Sequence, residues 1–231
     1  MNGTVCVDAG ALTDALTLDE QARVRAVLVT HAHMDHVASL PFLVENVFGR
    51  NASSLEIVAP EDVLAALRTH LFNDALWPDF SRLPNDLAPA VTYRAVAVGE
   101  PFAVEGLVAT AIPVSHVVPT VGYILEEGDT SIVFSGDTGP TDALWRAVRA
   151  RRDVKGVFVE CSFPNSLQHL ADVSKHLTPA TLRSEIVKFP PAVPIHLYHM
   201  KPPTLERLGT DVAELGDARV SILADGDELD F

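Results

Sequence analysis

Apolar residues recur along this chain in short β-branched runs, separated by stretches with helical spacing. The runs predict strands over residues 4–8, 24–30, 55–58, 91–97, 107–114, 120–126, 131–135, 156–160, 193–198 and 220–223. The helical spacing predicts helices over residues 39–48, 60–71, 142–150, 179–188 and 204–215. Several starts are marked chemically. Ser39 stands before Leu40-Pro41, Thr178 before Pro179, and Thr141-Asp142 after Pro140. Strands interspersed with helices predict a layered α/β domain, with helices outside two sheets. Two stretches fit neither period. Residues 72–89 carry several prolines and aromatics and read as a functional loop, and residues 162–178 read as a second long loop.

Length and composition narrow this picture. A chain of 231 residues supports one domain over residues 1–231 and is short for two. With 48% hydrophobic and 21% charged residues, it packs a core. No apolar run approaches the ~18 residues that cross a bilayer, so no membrane partner is expected. The opening Met1-Asn2-Gly3-Thr4-Val5-Cys6-Val7-Asp8 has no basic region and no long apolar stretch of the kind found in signal peptides. The cytoplasm is then the default compartment. The chain also enters a strand-like run almost at once, so an upstream piece is expected to be missing. Oligomeric state stays open, a homodimer being the common case.

The formal net charge is −14. Such a field repels polyanions, so extended nucleic acid is not an expected partner. The basic cluster Arg146, Arg149, Arg151, Arg152 and Lys155 falls on a predicted helix and its exit, and reads as a solvated face. Cys6 and Cys161 lie far apart and read as buried thiols.

The candidate chemistry lies where strands end. His31-Ala32-His33-Met34-Asp35-His36 directly follows an apolar run. His31 and His33 are two apart, so both imidazoles can project the same way from extended backbone. Asp35 and His36 add two further donors of the type that zinc and similar ions accept. His116, Asp137 and His199 each follow an apolar strand in the same manner. One sheet edge can gather all of them.

With these residues in view, the chain resembles the metallo-β-lactamase superfamily. The resemblance rests on His31-Ala32-His33-Met34-Asp35-His36, His116, Ser135-Gly136-Asp137-Thr138 and His199, with Asp8-Ala9-Gly10 as a supporting turn. It implies an αββα sandwich forming a single metallo-hydrolase domain. It also implies two divalent cations, with Zn2+ favoured and Mn2+ or Fe2+ acceptable. His31, His33 and His116 would hold one, Asp35, His36 and His199 the other, and Asp137 would bridge. The superfamily usually has strands before the Asp8 turn that this chain lacks. The first sheet is therefore expected to be incomplete, or completed by another chain.

Three further segments are similar to the class II cyclic nucleotide phosphodiesterases. They are Phe72-Asn73-Asp74-Ala75-Leu76-Trp77-Pro78-Asp79-Phe80, His116-Val117-Val118-Pro119-Thr120-Val121-Gly122-Tyr123, and Glu160-Cys161-Ser162-Phe163 with His176-Leu177-Thr178-Pro179. This resemblance implies hydrolysis of a 3′,5′-cyclic nucleotide, such as cyclic AMP, to the 5′-monophosphate by metal-bound hydroxide. Trp77 and Phe80 could stack on the base, with Asn73 beside them. His176 is the candidate acid for the leaving 3′-oxygen, and Asp35 could manage the proton of the attacking water. Lys201 could contact phosphate, and His196 reads as support for His199. The rival enzyme readings are a tRNA 3′-processing endonuclease, which should carry a basic surface, and a β-lactamase or thioester hydrolase. A rival of another class is a non-catalytic metal or nucleotide sensor.

Overall fold

In the computed structural model, which describes residues 2–50 and 53–231, the first apolar runs become an all-parallel sheet. Its strands are β1 (Val5–Val7), β2 (Ala26–Leu28), β3 (Leu55–Ala59) and β4 (Val91–Ala95), in spatial order β1-β2-β3-β4. Parallel neighbours need a crossover, and short helices supply each one. Helices α1 (Leu12–Ala15) and α2 (Leu18–Gln21) join β1 to β2. Helices α3 (Met34–Val37) and α4 (Leu40–Val47) join β2 to β3, and α5 (Glu61–His70) joins β3 to β4. Every residue of β2 is buried, which is why its sequence is a continuous apolar run without alternation. Strand β5 (Pro101–Val104) follows β4.

The chain divides into two compact units, one ending at Leu107 and the other spanning Val108–Phe231. The second is built on β6 (Leu107–Pro113), β7 (Val121–Glu127), β8 (Thr130–Phe134), β9 (Val154–Glu160), β10 (Ile195–Tyr198) and β11 (Val220–Ile222). These lie in the order β11-β10-β9-β8-β7-β6. Strands β6, β7 and β8 pair antiparallel, whereas β8, β9, β10 and β11 pair parallel. The parallel crossovers carry α6 (Ala143–Arg149), α7 (Gln168–Ser174), α8 (Pro179–Ile186) and α9 (Leu205–Ala213). Trp145, fully buried, packs its ring on Phe189 and donates from Nε1 to Glu185 Oε2 at 2.8 Å. This contact ties α6 to α8 and satisfies the one polar atom of the indole.

Pairing directions decide where the strands end. Two antiparallel steps make β6 run the same way as β8, and β9 and β10 run parallel to β8. The C-terminal ends of β6, β8, β9 and β10 therefore lie on one edge of this sheet. In the first unit, β1 and β2 likewise end together.

The predicted strands and longer helices are present within a few residues of the expected bounds. The sequence reading missed β5, α1, α2 and α3, each four residues long, too short to display a period. It also missed α7, so residues 162–178 are not one long loop. Leu170 and Val173 of α7 face solvent and no side chain caps the helix, so the usual sequence marks are absent.

Candidate functional site

In the first unit, Asp8 directly follows β1, and Thr30-His31 follow β2 after Val29. Asp8 has φ +59°, a left-handed conformation that aspartate tolerates better than most residues. Its carboxylate accepts from Thr30 N at 2.7 Å and Thr30 Oγ1 at 2.8 Å. The same carboxylate lies 2.7 Å from His36 Nδ1, and Thr30 Oγ1 lies 3.0 Å from His31 Nδ1. A carboxylate only accepts, so His36 Nδ1–H donates to it. Thr30 gives its hydroxyl proton to Asp8 and then accepts from His31 Nδ1–H. Both rings thereby carry their proton on Nδ1, so Nε2 is the lone-pair nitrogen, the form a metal ion requires. Gly10 permits the close approach beneath them: a Cβ there would lie 1.9 Å from the Asp35 carbonyl oxygen. His31 and His36 are buried, His33 is half-buried and Asp35 is exposed on α3.

In the second unit, Glu160 ends β9, and His116, Asp137, Ser162 and His199 follow strand ends on the same edge. Asp137, His176 and His199 each place a ligand atom within 4.8 Å of the others. Ser115 N donates to Thr138 Oγ1 at 3.1 Å and Gly139 N to Ser115 O at 2.8 Å, which joins the turn before His116 to the turn after Asp137. His116 Nδ1 lies 3.2 Å from the Lys175 carbonyl, and Lys175 Nζ donates back to the His116 carbonyl at 3.0 Å. The carbonyl can only accept, so His116 also presents Nε2.

Glu160, fully buried, organises the rest. It accepts from Thr138 N at 3.0 Å, Ser162 N at 3.1 Å and Ser162 Oγ at 3.0 Å, and its Oε1 lies 2.7 Å from His176 Nδ1. Ser162 Oγ, having donated to Glu160, accepts from His199 Nδ1 at 2.9 Å. Burial disfavours a charged His176, but the hydrogen bond and charge of Glu160, with the charge of Asp137, outweigh it and hold the imidazole above its usual pKa. His199 has φ +64°, a conformation uncommon outside glycine and a mark of local constraint at a working site. Lys201 Nζ lies 3.4 Å from His199 Nε2. His196 contacts Ser221 Oγ at 2.9 Å and packs against Phe158.

The loop residues divide. Phe80 is buried at 7% exposure and its ring packs on Phe48. The expectation that it stacks on a substrate base is corrected: it fills the core of the first unit. Asn73 is committed to its own turn, accepting from Ala75 N and Leu76 N and donating to the Thr69 carbonyl. Trp77 is half-buried against Phe42, with its indole N–H unpartnered among the described residues. Sequence reasoning gave no role to Thr30, Glu160, Ser162 or Lys175. Thr30 beside His31 and Glu160 at a strand end were the available signals.

The sequence model of the β-lactamase superfamily domain matches residues 7–215. A probable 3′,5′-cyclic-nucleotide phosphodiesterase of Yersinia pestis is 27% identical over 240 aligned residues, covering 89% of this chain and 66% of that protein. A ribonuclease Z of Mycobacterium bovis is 29% identical over 133 residues, covering 53% of this chain and 47% of its own length. The chain thus spans between about half and two thirds of these curated relatives. Among solved structures, unliganded yeast PDE1 superposes with a TM-score of 0.77 at 19% identity, over 90% of this chain and 69% of that one.

Proposed function

This chain belongs to the metallo-β-lactamase superfamily, whose α/β fold and hydrolase character it shares, and on that basis we propose that it hydrolyses 3′,5′-cyclic nucleotides to 5′-monophosphates with two divalent cations. In this reading residues 1–231 work as a single hydrolase domain. His31, His33 and His116 hold one cation, Asp35, His36 and His199 the other, and Asp137 is shared. The donor set fits such ions: the hydrogen bonds at Nδ1 of His31, His36, His116 and His199 place the ring proton there and make Nε2 the lone-pair nitrogen on each. Imidazole and carboxylate suit Zn2+, and Mn2+ or Fe2+ are also accommodated. Bound there, two cations would act as Lewis acids toward phosphate and lower the pKa of a water toward ~7.

The observation that carries the reading is His176. Glu160 holds its Nδ1 and favours its charged form beside Asp137 and His199. The proton it can give away therefore sits on Nε2. An alkoxide leaving group needs such a donor, and the 3′-oxygen of a cyclic nucleotide is one. Asp35, exposed on α3, takes a proton from the attacking water. Trp77, half-buried against Phe42, supplies an aromatic face for the base. The relative that aligns over 89% of this chain, at 27% identity, is a probable 3′,5′-cyclic-nucleotide phosphodiesterase, which supports this substrate class over others.

A second reading, tRNA 3′-end processing, draws on the ribonuclease Z similarity over 53% of the chain. The net charge of −14 argues against it. The test is a product assay on protein loaded with Zn2+ or Mn2+. Cyclic AMP or cyclic GMP should give the 5′-monophosphate, and Asp137→Ala should abolish turnover. Cleavage of precursor tRNA without turnover of cyclic nucleotides would overturn the proposal. Tight nucleotide binding with no product would favour a sensor.

A further inference from the structure

Helix α6 ends in Arg149, and the chain then passes through Arg151 and Arg152 into β9, where Lys155 is the second residue. A cleft of about 710 Å³ opens here, walled on its other side by residues 187–194. That volume is typical of small-molecule sites. Arg151 is engaged: its Nη2 lies 2.6 Å from Glu126 Oε2 and 2.5 Å from Asp153 Oδ2. Arg149, Arg152 and Lys155 line the cleft, are exposed, and their side chains make no hydrogen bond or ion pair among the described residues. The opposite wall is apolar, with Val187 73% exposed beside Pro191 and Pro194.

Three unpaired cations placed together repel one another. In a chain with 31 acidic side chains against 17 basic ones, a solvated face could readily have been neutralised. Guanidinium groups match phosphate oxygens in fork geometry, and lysine adds a mobile point charge. Exposed proline and valine surfaces gain by covering a flat apolar body. We propose that this cleft is a second binding site for a nucleotide, with phosphate on Arg149, Arg152 and Lys155 and the base against Val187, Pro191 and Pro194.

The cleft and the catalytic candidates lie at opposite ends of β9. Val154 lines the cleft and Glu160 closes the strand. Seven residues of strand span roughly 20 Å at ~3.3 Å per residue. A nucleotide in the cleft therefore meets neither His176 nor a metal ligand, and the proposal stands or falls apart from the catalytic reading.

The experiment is photolabelling of the full chain with 8-azido-AMP, followed by peptide mapping. Label is expected on residues 187–194 and should be displaced by AMP. The double variant Arg149→Ser/Arg152→Ser should cut it at least ~10-fold, since charge-assisted phosphate contacts are lost. Asp137→Ala should leave it unchanged. Lys155→Ser provides a second, independent variant should the double one fail to fold. Label confined to other segments, or undiminished in the variants, overturns the proposal. Displacement by pyrophosphate as efficient as by AMP also overturns it, because the apolar wall would then contribute nothing.

Discussion

Asp8 is not itself a candidate ligand, yet it sets the tautomer of two imidazoles at once. Gly10, two residues on, lets the chain pass against the Asp35 carbonyl. Gly10→Ala drives a Cβ into that backbone oxygen at 1.9 Å, and backbone yields less than a flexible side chain. A loss of about 1–3 kcal/mol is expected in urea unfolding, together with lower metal content. At His176 the prediction concerns pH. An acid catalyst loses its proton, and the rate falls, as pH rises through its pKa. Glu160 raises that pKa, whereas burial alone lowers it. Glu160→Gln should therefore move the alkaline limb of the kcat profile to lower pH; a limb that stays in place would remove His176 from this role. His176→Ala should lower kcat by ~10²–10⁴-fold with metal content retained. Cys161 makes a separate case. Burial, helped by the nearby charges of Glu160 and Asp211, pushes its thiol far above the usual range. It should stay unreactive toward a disulfide reagent until the protein unfolds.

Among elements, α8 has the clearest local logic. Thr178 Oγ1 accepts from Thr181 N, Thr181 Oγ1 lies 2.8 Å from Thr178 N, and Pro179 occupies the first turn. Thr178 Oγ1 also donates to Gln168 Oε1 at 2.6 Å, tying α7 to α8. Thr178→Ala should cost about 1–2 kcal/mol, read from the unfolding midpoint. The Thr178-Pro179 signal made this helix visible in the sequence, and β-branched runs did the same for β2, β7 and β9. The candidate ligands were legible for a related reason: each follows an apolar run, and strand ends are where side chains can converge. What stayed hidden depended on distant pairing. Nothing local in Glu160 tells that it accepts from Thr138, Ser162 and His176 together. Phe80 looked like a stacking surface because its loop is rich in turn residues, whereas its burial depends on Phe48, far away in sequence.

For the whole molecule, the excess of acidic groups is the dominant long-range force. Self-repulsion at −14 works against the compact state and is screened by salt. Raising NaCl at pH 8 should therefore raise the melting temperature, by roughly 2–4 °C for each ~1 kcal/mol recovered in a chain of this size. Near the pI of about 4.9 the effect should vanish, and a gain of the same size there would contradict it. A chelator should lower the melting temperature in proportion to the metal removed, since bound ions stabilise only the folded chain.

The parallel order of β8, β9 and β10 also has a consequence in time. During synthesis Asp137 leaves the ribosome first, Glu160 after a whole helix, and His199 only after two more helices and β10. Asp137 and Glu160 can be in place while the histidine that completes their neighbourhood is still untranslated. A ribosome halted before β10 would release a chain with the acidic groups of this centre and without its closing imidazole. The cluster of Asp137, His176 and His199 is thus completed only late in synthesis, timed by strand order.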